Sequence, residues 1–153
     1  MAKGCYNLVK DFIDKYPYGI CWRIKKHCQI VDMHLNPNDE IQFACCGQLN
    51  NEPWGLIDSA ILAITNERII IGHKKIMPGY KFVSITPDLY NDMSVVSSIF
   101  WGTIVIDTVK EIVYLSNLDK KCLPEVETKV TTFMMDMKKK YPKEEEEKNK
   151  DSK

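Results

Sequence analysis

No apolar run in this chain approaches the ~20 residues that a membrane-spanning helix requires, and the opening Met-Ala-Lys-Gly-Cys-Tyr has no apolar core of the kind that directs export. A soluble, cytoplasmic protein without a transmembrane segment is expected. An excess of either charge is missing too. The 21 Lys and Arg balance 21 Asp and Glu, so no overall field draws the molecule to nucleic acid or an acidic membrane, and any such binding has to come from a local patch. The seven glycines are scattered and make no phosphate-cradling pattern. The six cysteines (Cys5, Cys21, Cys28, Cys45, Cys46, Cys122) include no CxxC; they read as free thiols in a reducing compartment, with Cys45 and Cys46 on opposite faces of a strand. The three histidines, His27, His34 and His73, include no i, i+4 pair, and no Cys/His cluster has zinc spacing. No sequence context sets a base beside a nucleophile. Neither a metal, a cofactor nor a catalytic residue is expected.

What the chain does have is β-branched density around a turn. Ser59 to Lys75 reads as two short apolar strands joined at Thr65 to Arg68, with Ile61, Ile64 and Thr65 before the turn and Ile69, Ile70 and Ile71 after it. A hairpin of this kind is not stable alone and needs further strands and a covering helix. At 153 residues and 44% hydrophobic content the chain suits one domain. Residues 6–16 form an amphipathic helix (Val9, Phe12, Ile13, Tyr16), and Gly19 to Leu35 a second (Ile20, Ile24, Cys28, Val31, Leu35), ended by Asn36-Pro37-Asn38-Asp39. Strands are expected at 40–49, at the central hairpin, and at 80–85, 93–100, 102–108 and 111–115, about seven in all. The stretch from Leu123 to Tyr141 reads as a capping helix with Val126, Val130, Phe133, Met134 and Met137 in one stripe. The expected organisation is a helical prefix packing on the barrel (1–38), a strand-rich domain (39–141) and a disordered charged tail (142–153).

This order, mainly β with helices, resembles the pleckstrin-homology (PH) superfold: a partly open barrel of about seven antiparallel strands capped by a C-terminal amphipathic helix, here with two extra N-terminal helices. Leu35-Asn36-Pro37-Asn38-Asp39-Glu40-Ile41, Leu62 to Ile71 (LAITNERIII) and Trp101-Gly102-Thr103-Ile104-Val105-Ile106 narrow the resemblance to the bacterial PH-like domains. It implies a non-enzymatic binding or scaffold domain. In superfold members that hold phosphoinositides, basic residues on the first two strands and their loop grip the phosphates. Here the corresponding loop, Gly47 to Asp58, holds Glu52 and Asp58 and no Lys or Arg.

A protein partner or a second copy of the chain is the expected ligand. Trp54, Phe100 and Trp101, the aromatic residues that the core explains least, are the expected contact points. The alternative is an anionic lipid or other anion at the one dense basic stretch, His73, Lys74 and Lys75 with Lys81 across the connection.

Overall fold

In the computed structural model, which describes residues 4–52 and 54–151 (141–151 through their backbone alone), the chain begins with two helices, α1 (Cys5–Lys15) and α2 (Ile24–Met33). Seven strands follow: β1 (Ile41–Gln48), β2 (Ser59–Thr65), β3 (Ile69–Lys74), β4 (Tyr80–Ile85), β5 (Tyr90–Ser97), β6 (Trp101–Thr108) and β7 (Ile112–Asp119). A single 3-10 turn leads into α3 (Leu123–Asp151). The strands run antiparallel in the order β4-β3-β2-β1-β7-β6-β5, so the consecutive strands β4 and β5 form the two outer edges of a half-barrel. Its two halves join at one pair, Gln48↔Ser116. Gly47 makes that crossing feasible, because a Cβ there would sit 2.8 Å from the Ser116 carbonyl oxygen.

Burial does not alternate along the middle strands. All seven residues of β2 and the first five of β3 are buried, which for an antiparallel sheet means that both faces are covered. One face looks into the barrel. The other lies under the N-terminal helices, α1 on β1 and α2 on β2 and β3. Cys5, Val9 and Phe12 from α1 and Cys28 and Val31 from α2 join the same hydrophobic core as the sheet. The approach of α2 to β3 is close enough to require Gly72, where a Cβ would come within 2.9 Å of Val31 and 3.2 Å of the His27 carbonyl oxygen. On the far side α3 packs on β5 and β6 and sends Val126, Val130, Met134 and Met137 inward, leaving Met135 exposed.

Four boundaries differ from the sequence reading. Residues 19–23 are not helical: Ile20 N–H donates to the Asn117 carbonyl (2.9 Å), Gln48 Nε2 donates to the Ile20 carbonyl (2.9 Å), and Trp22 N–H donates to Ser59 Oγ (2.8 Å). Partners on β1, β2 and β7 thus hold this segment out of a helix. β5 spans Tyr90–Ser97 rather than 93–100, because Ser98 turns back on Trp101 through its N–H (2.9 Å) and Oγ (2.8 Å). β7 runs on to Asp119, its end pairing with Gly102 and Trp101. The last helix continues through Pro142 to Asp151, where a disordered tail is expected; its Glu and Lys run consists of strong helix formers. The first three residues of the expected prefix, Pro53 of the β1–β2 loop, and Ser152 and Lys153 of the expected tail lie outside the described residues.

The segments Asn36–Glu40 and Thr65–Arg68 interlock. Thr65 Oγ1 accepts from the N–H groups of Glu67 and Arg68, shaping the turn. Asn66 Oδ1 accepts from Glu40 N–H (2.8 Å), and Asn66 Nδ2 donates to the Asn38 carbonyl (3.1 Å). Arg68 pairs with Asp39 (3.3 Å) and donates to the His34 carbonyl (2.8 Å) and Ser84 Oγ (3.0 Å), so it ties the end of α2 to β3 and β4. The side chains of Asp39 and Arg68 are only 1% and 15% exposed. Replacing one member of a buried pair strands the other. Arg68→Met is therefore expected to cost about 2–4 kcal/mol in urea unfolding, while the exposed Lys110→Met stays within about 0.5 kcal/mol; a similar, small effect for both would contradict this role.

Candidate interaction surfaces

The Ser98–Trp101 turn carries Ile99 and Phe100 at its corners, 80% and 69% exposed. Turn corners ordinarily take Gly, Asn, Asp or Ser, whose conformational freedom or short polar side chains suit them. Trp101 is held beside them. Its ring centroid is 5.6 Å from that of Phe100, and its indole N–H donates to the Tyr18 carbonyl (3.1 Å). Tyr18, itself largely exposed, is anchored by its own N–H to Asp119 Oδ2 (3.3 Å). A shallow pocket forms between these residues with Lys120 and Lys121 on its rim. Phe100 and Trp101 thus come together, and Tyr18 joins them from more than eighty residues away in sequence, which no local pattern signals. Trp54 lies in another loop, between β1 and β2, 87% exposed.

The remaining expected residues lie at the end of the sheet where β3 turns into β4. Extending the β2–β3 register beyond Ile61↔Gly72 sets Ser59 beside Lys74, so the β1–β2 and β3–β4 connections share this end. His73 pairs with Lys81 and Lys74 with Tyr80 across β3 and β4. His73 is buried, its Nδ1 2.7 Å from the Ser59 carbonyl oxygen, while Lys75 and Lys81 are exposed. Sequence reasoning missed the neighbours that the fold supplies. Arg23 donates to the Lys74 carbonyl (3.3 Å), which brings Trp22, Lys25 and Lys26 at the start of α2 to the same region. The run Trp-Arg-Ile-Lys-Lys was legible as basic, but its proximity to Lys74 depends on α2 crossing β3.

Beneath this end lies a pair of imidazoles. His27 and His73 stack with centroids 5.4 Å apart. His27 Nδ1 accepts from Lys74 N–H (2.8 Å), which places its proton on Nε2, a buried atom without a hydrogen-bond partner among the described residues. Burial first, then the neighbouring His73 and the Arg23 charge, lowers the His27 pKa from 6.5 to about 4.

Cys5 and Cys28 thiols meet at 3.2 Å between α1 and α2, and all six cysteines are free. A hydrogen bond to Cys28 and burial raise the Cys5 pKa, and burial pushes the Cys122 thiol up to about 12, so these thiols stay protonated. Among the described residues no group of three or more His, Cys, Asp or Glu is placed to hold a metal ion. A groove of about 420 Å³ between α3, the start of β1 and the end of β2 is lined by Phe43, Ile64 and Phe133. No helix of the described residues is long and apolar enough to cross a membrane.

Comparison with known proteins adds a lineage. The family model described as bacterial PH domain matches residues 35–132. No curated protein matches. Among solved structures, the chain is similar to a DUF1696 family protein with a pleckstrin-homology domain from Shewanella loihica PV-4, at 12% identity and a TM-score of 0.45, covering 74% of this chain and 91% of that one. It is also similar to a pleckstrin-homology domain from Shewanella amazonensis SB2B, at 15% identity and a TM-score of 0.40, covering 63% and 73%.

The burial of His27 makes stability depend on pH. With the folded pKa of His27 below its unfolded value, the unfolded chain binds more protons between pH 6.5 and 4. This contribution is whole above pH 6.5 and shrinks as pH falls, by about 2 kcal/mol at pH 5. Urea midpoints at pH 7.5 and 5 should show a smaller drop in His27→Asn than in the wild type, whereas equal drops would rule out His27 as the titrating group.

Proposed function

Since the chain belongs to the bacterial PH domain family, we propose that it works as a non-enzymatic binding and scaffold module of the cytoplasm, docking a protein, either a partner or a second copy of itself, on Tyr18, Ile99, Phe100 and Trp101. The observation that carries this reading is the apolar turn: Ile99 and Phe100 stand in water at positions where the fold itself asks for neither. Burying each against a partner is worth about 1.5–3 kcal/mol. Trp101, fixed by its bond to Tyr18, supplies the rigid aromatic anchor that dominates many interfaces. Trp54 stands apart from this cluster as a further exposed apolar residue.

A photo-reactive residue in place of Ile99 should cross-link, in cells, to one protein or to another copy of the chain. Ile99→Ser/Phe100→Ser should weaken the association so identified by about 10-fold to 100-fold, with an unchanged circular dichroism spectrum. A protein that yields no adduct at this position and sediments as a monomer at all accessible concentrations would refute the reading.

A further inference from the structure

We propose that the end of the barrel formed by Trp22 and Arg23 with Lys74, Lys75, Ile76 and Met77 docks on an anionic lipid surface, with its apolar tips inserted and its cations over the headgroups. Charge is the first argument. The chain has no net charge, yet the opening of α2 (Arg23, Lys25, Lys26) and the β3–β4 hairpin (Lys74, Lys75, Lys81) are held side by side by Arg23 on the Lys74 carbonyl and Lys74 N–H on His27. Three of these cations have partial internal employment: Arg23 donates to the Lys74 carbonyl (3.3 Å), Lys25 lies over the Tyr6 ring (5.3 Å) and Lys74 Nζ reaches the Gly79 carbonyl (3.1 Å). Among the described residues no ion pair engages any of the six. The nearby carboxylate of Asp58, on the β1–β2 loop, accepts from Asn50 Nδ2 (2.8 Å).

Their placement also works against intramolecular stability. Cations in a first helical turn face the positive end of the helix dipole, and the first turn of α2 carries no acidic residue to offset them. Arg23 additionally takes a left-handed conformation, φ 55°, that non-glycine residues adopt at a cost. An external layer of negative charge would offset the charge–dipole part of that cost.

The third argument is what sits among the cations. Ile76 and Met77 at the tip of the β3–β4 hairpin are 65% and 74% exposed, and Trp22 is 57% exposed. Separate apolar tips ringed by long cationic side chains fit a lipid interface, where the indole lies at headgroup depth and the aliphatic tips enter the acyl boundary. The face has no cationic loop to enclose one phosphorylated headgroup, since residues 49–58 contain no Lys or Arg. It therefore reads the density of surface charge rather than headgroup identity.

The test is co-sedimentation of the full chain with vesicles of phosphatidylcholine containing rising fractions of phosphatidylglycerol or phosphatidylserine. Binding should grow with either anionic lipid and collapse at high salt. It should fall about fivefold or more per cation lost in Lys74→Glu/Lys75→Glu, and fall at least severalfold in Ile76→Ser/Met77→Ser, which keeps every charge. Ile99→Ser/Phe100→Ser should bind vesicles as the wild type does, so the membrane face and the protein face stand or fall separately. Absence of binding, equal binding to pure phosphatidylcholine, or full binding by either the charge or the tip variant would overturn the proposal. So would a wild type that ignores vesicles but pairs with an acidic protein through these lysines.

Discussion

β2 has no solvent face, and most of the architecture follows from that. Seven consecutive buried residues in an antiparallel strand leave the sheet two apolar surfaces to cover. The barrel interior covers one, and the other would be an aggregation-prone plane without α1 and α2. The helices therefore belong to the core, although the family match begins at residue 35, after both of them. Gly72 marks how tight the cover is, since even a methyl group there would push against α2.

The same constraint shapes the surfaces. To lay α1 on β1 and α2 on β2 and β3, the chain has to cross the end of the sheet between them, and residues 16–23 make that crossing as a non-helical strap. One end is tied to α3 through Glu125, whose carboxylate takes the Tyr16 hydroxyl (2.6 Å) and the Lys15 ammonium (3.2 Å), interactions that lower its pKa. The other end reaches Ser59 and Lys74. On the way the strap presents Tyr18 to the aromatic turn and Trp22 to the basic hairpin. A device that closes the core thus also supplies one residue to each candidate surface.

Much of the fold was legible in the sequence, because β-branched runs, turn residues and the stripe of α3 are local signals. The capping stripe of α3 was legible down to Met134 and Met137, which are buried with Val126 and Val130. Cys45 and Cys46 are consecutive residues of β1 and both are buried, because both faces of the sheet are covered there. Residues 19–23 of the strap were misread as helix because Ile20 and Ile24 keep helical spacing, while the bonds that hold them out of a helix come from β1, β2 and β7. His73 looked like one more cation beside Lys74, yet the strand alternation and α2 turn it inward to His27. Arg23, Lys25 and Lys26 were passed over for the opposite reason: they are conspicuous in sequence, and only the tertiary crossing joins them to the hairpin.

The central claim is that the N-terminal helices are a structural half of the sheet rather than an appendage to it. Native-state hydrogen exchange measures this directly, by comparing the opening free energies of amides in α1 and α2 with those in β2. The account predicts that the best-protected amides of all three open only with global unfolding, at the same free energy within about 1 kcal/mol. Helices that exchange through their own opening, several kcal/mol below β2 while the strand stays protected, would contradict it.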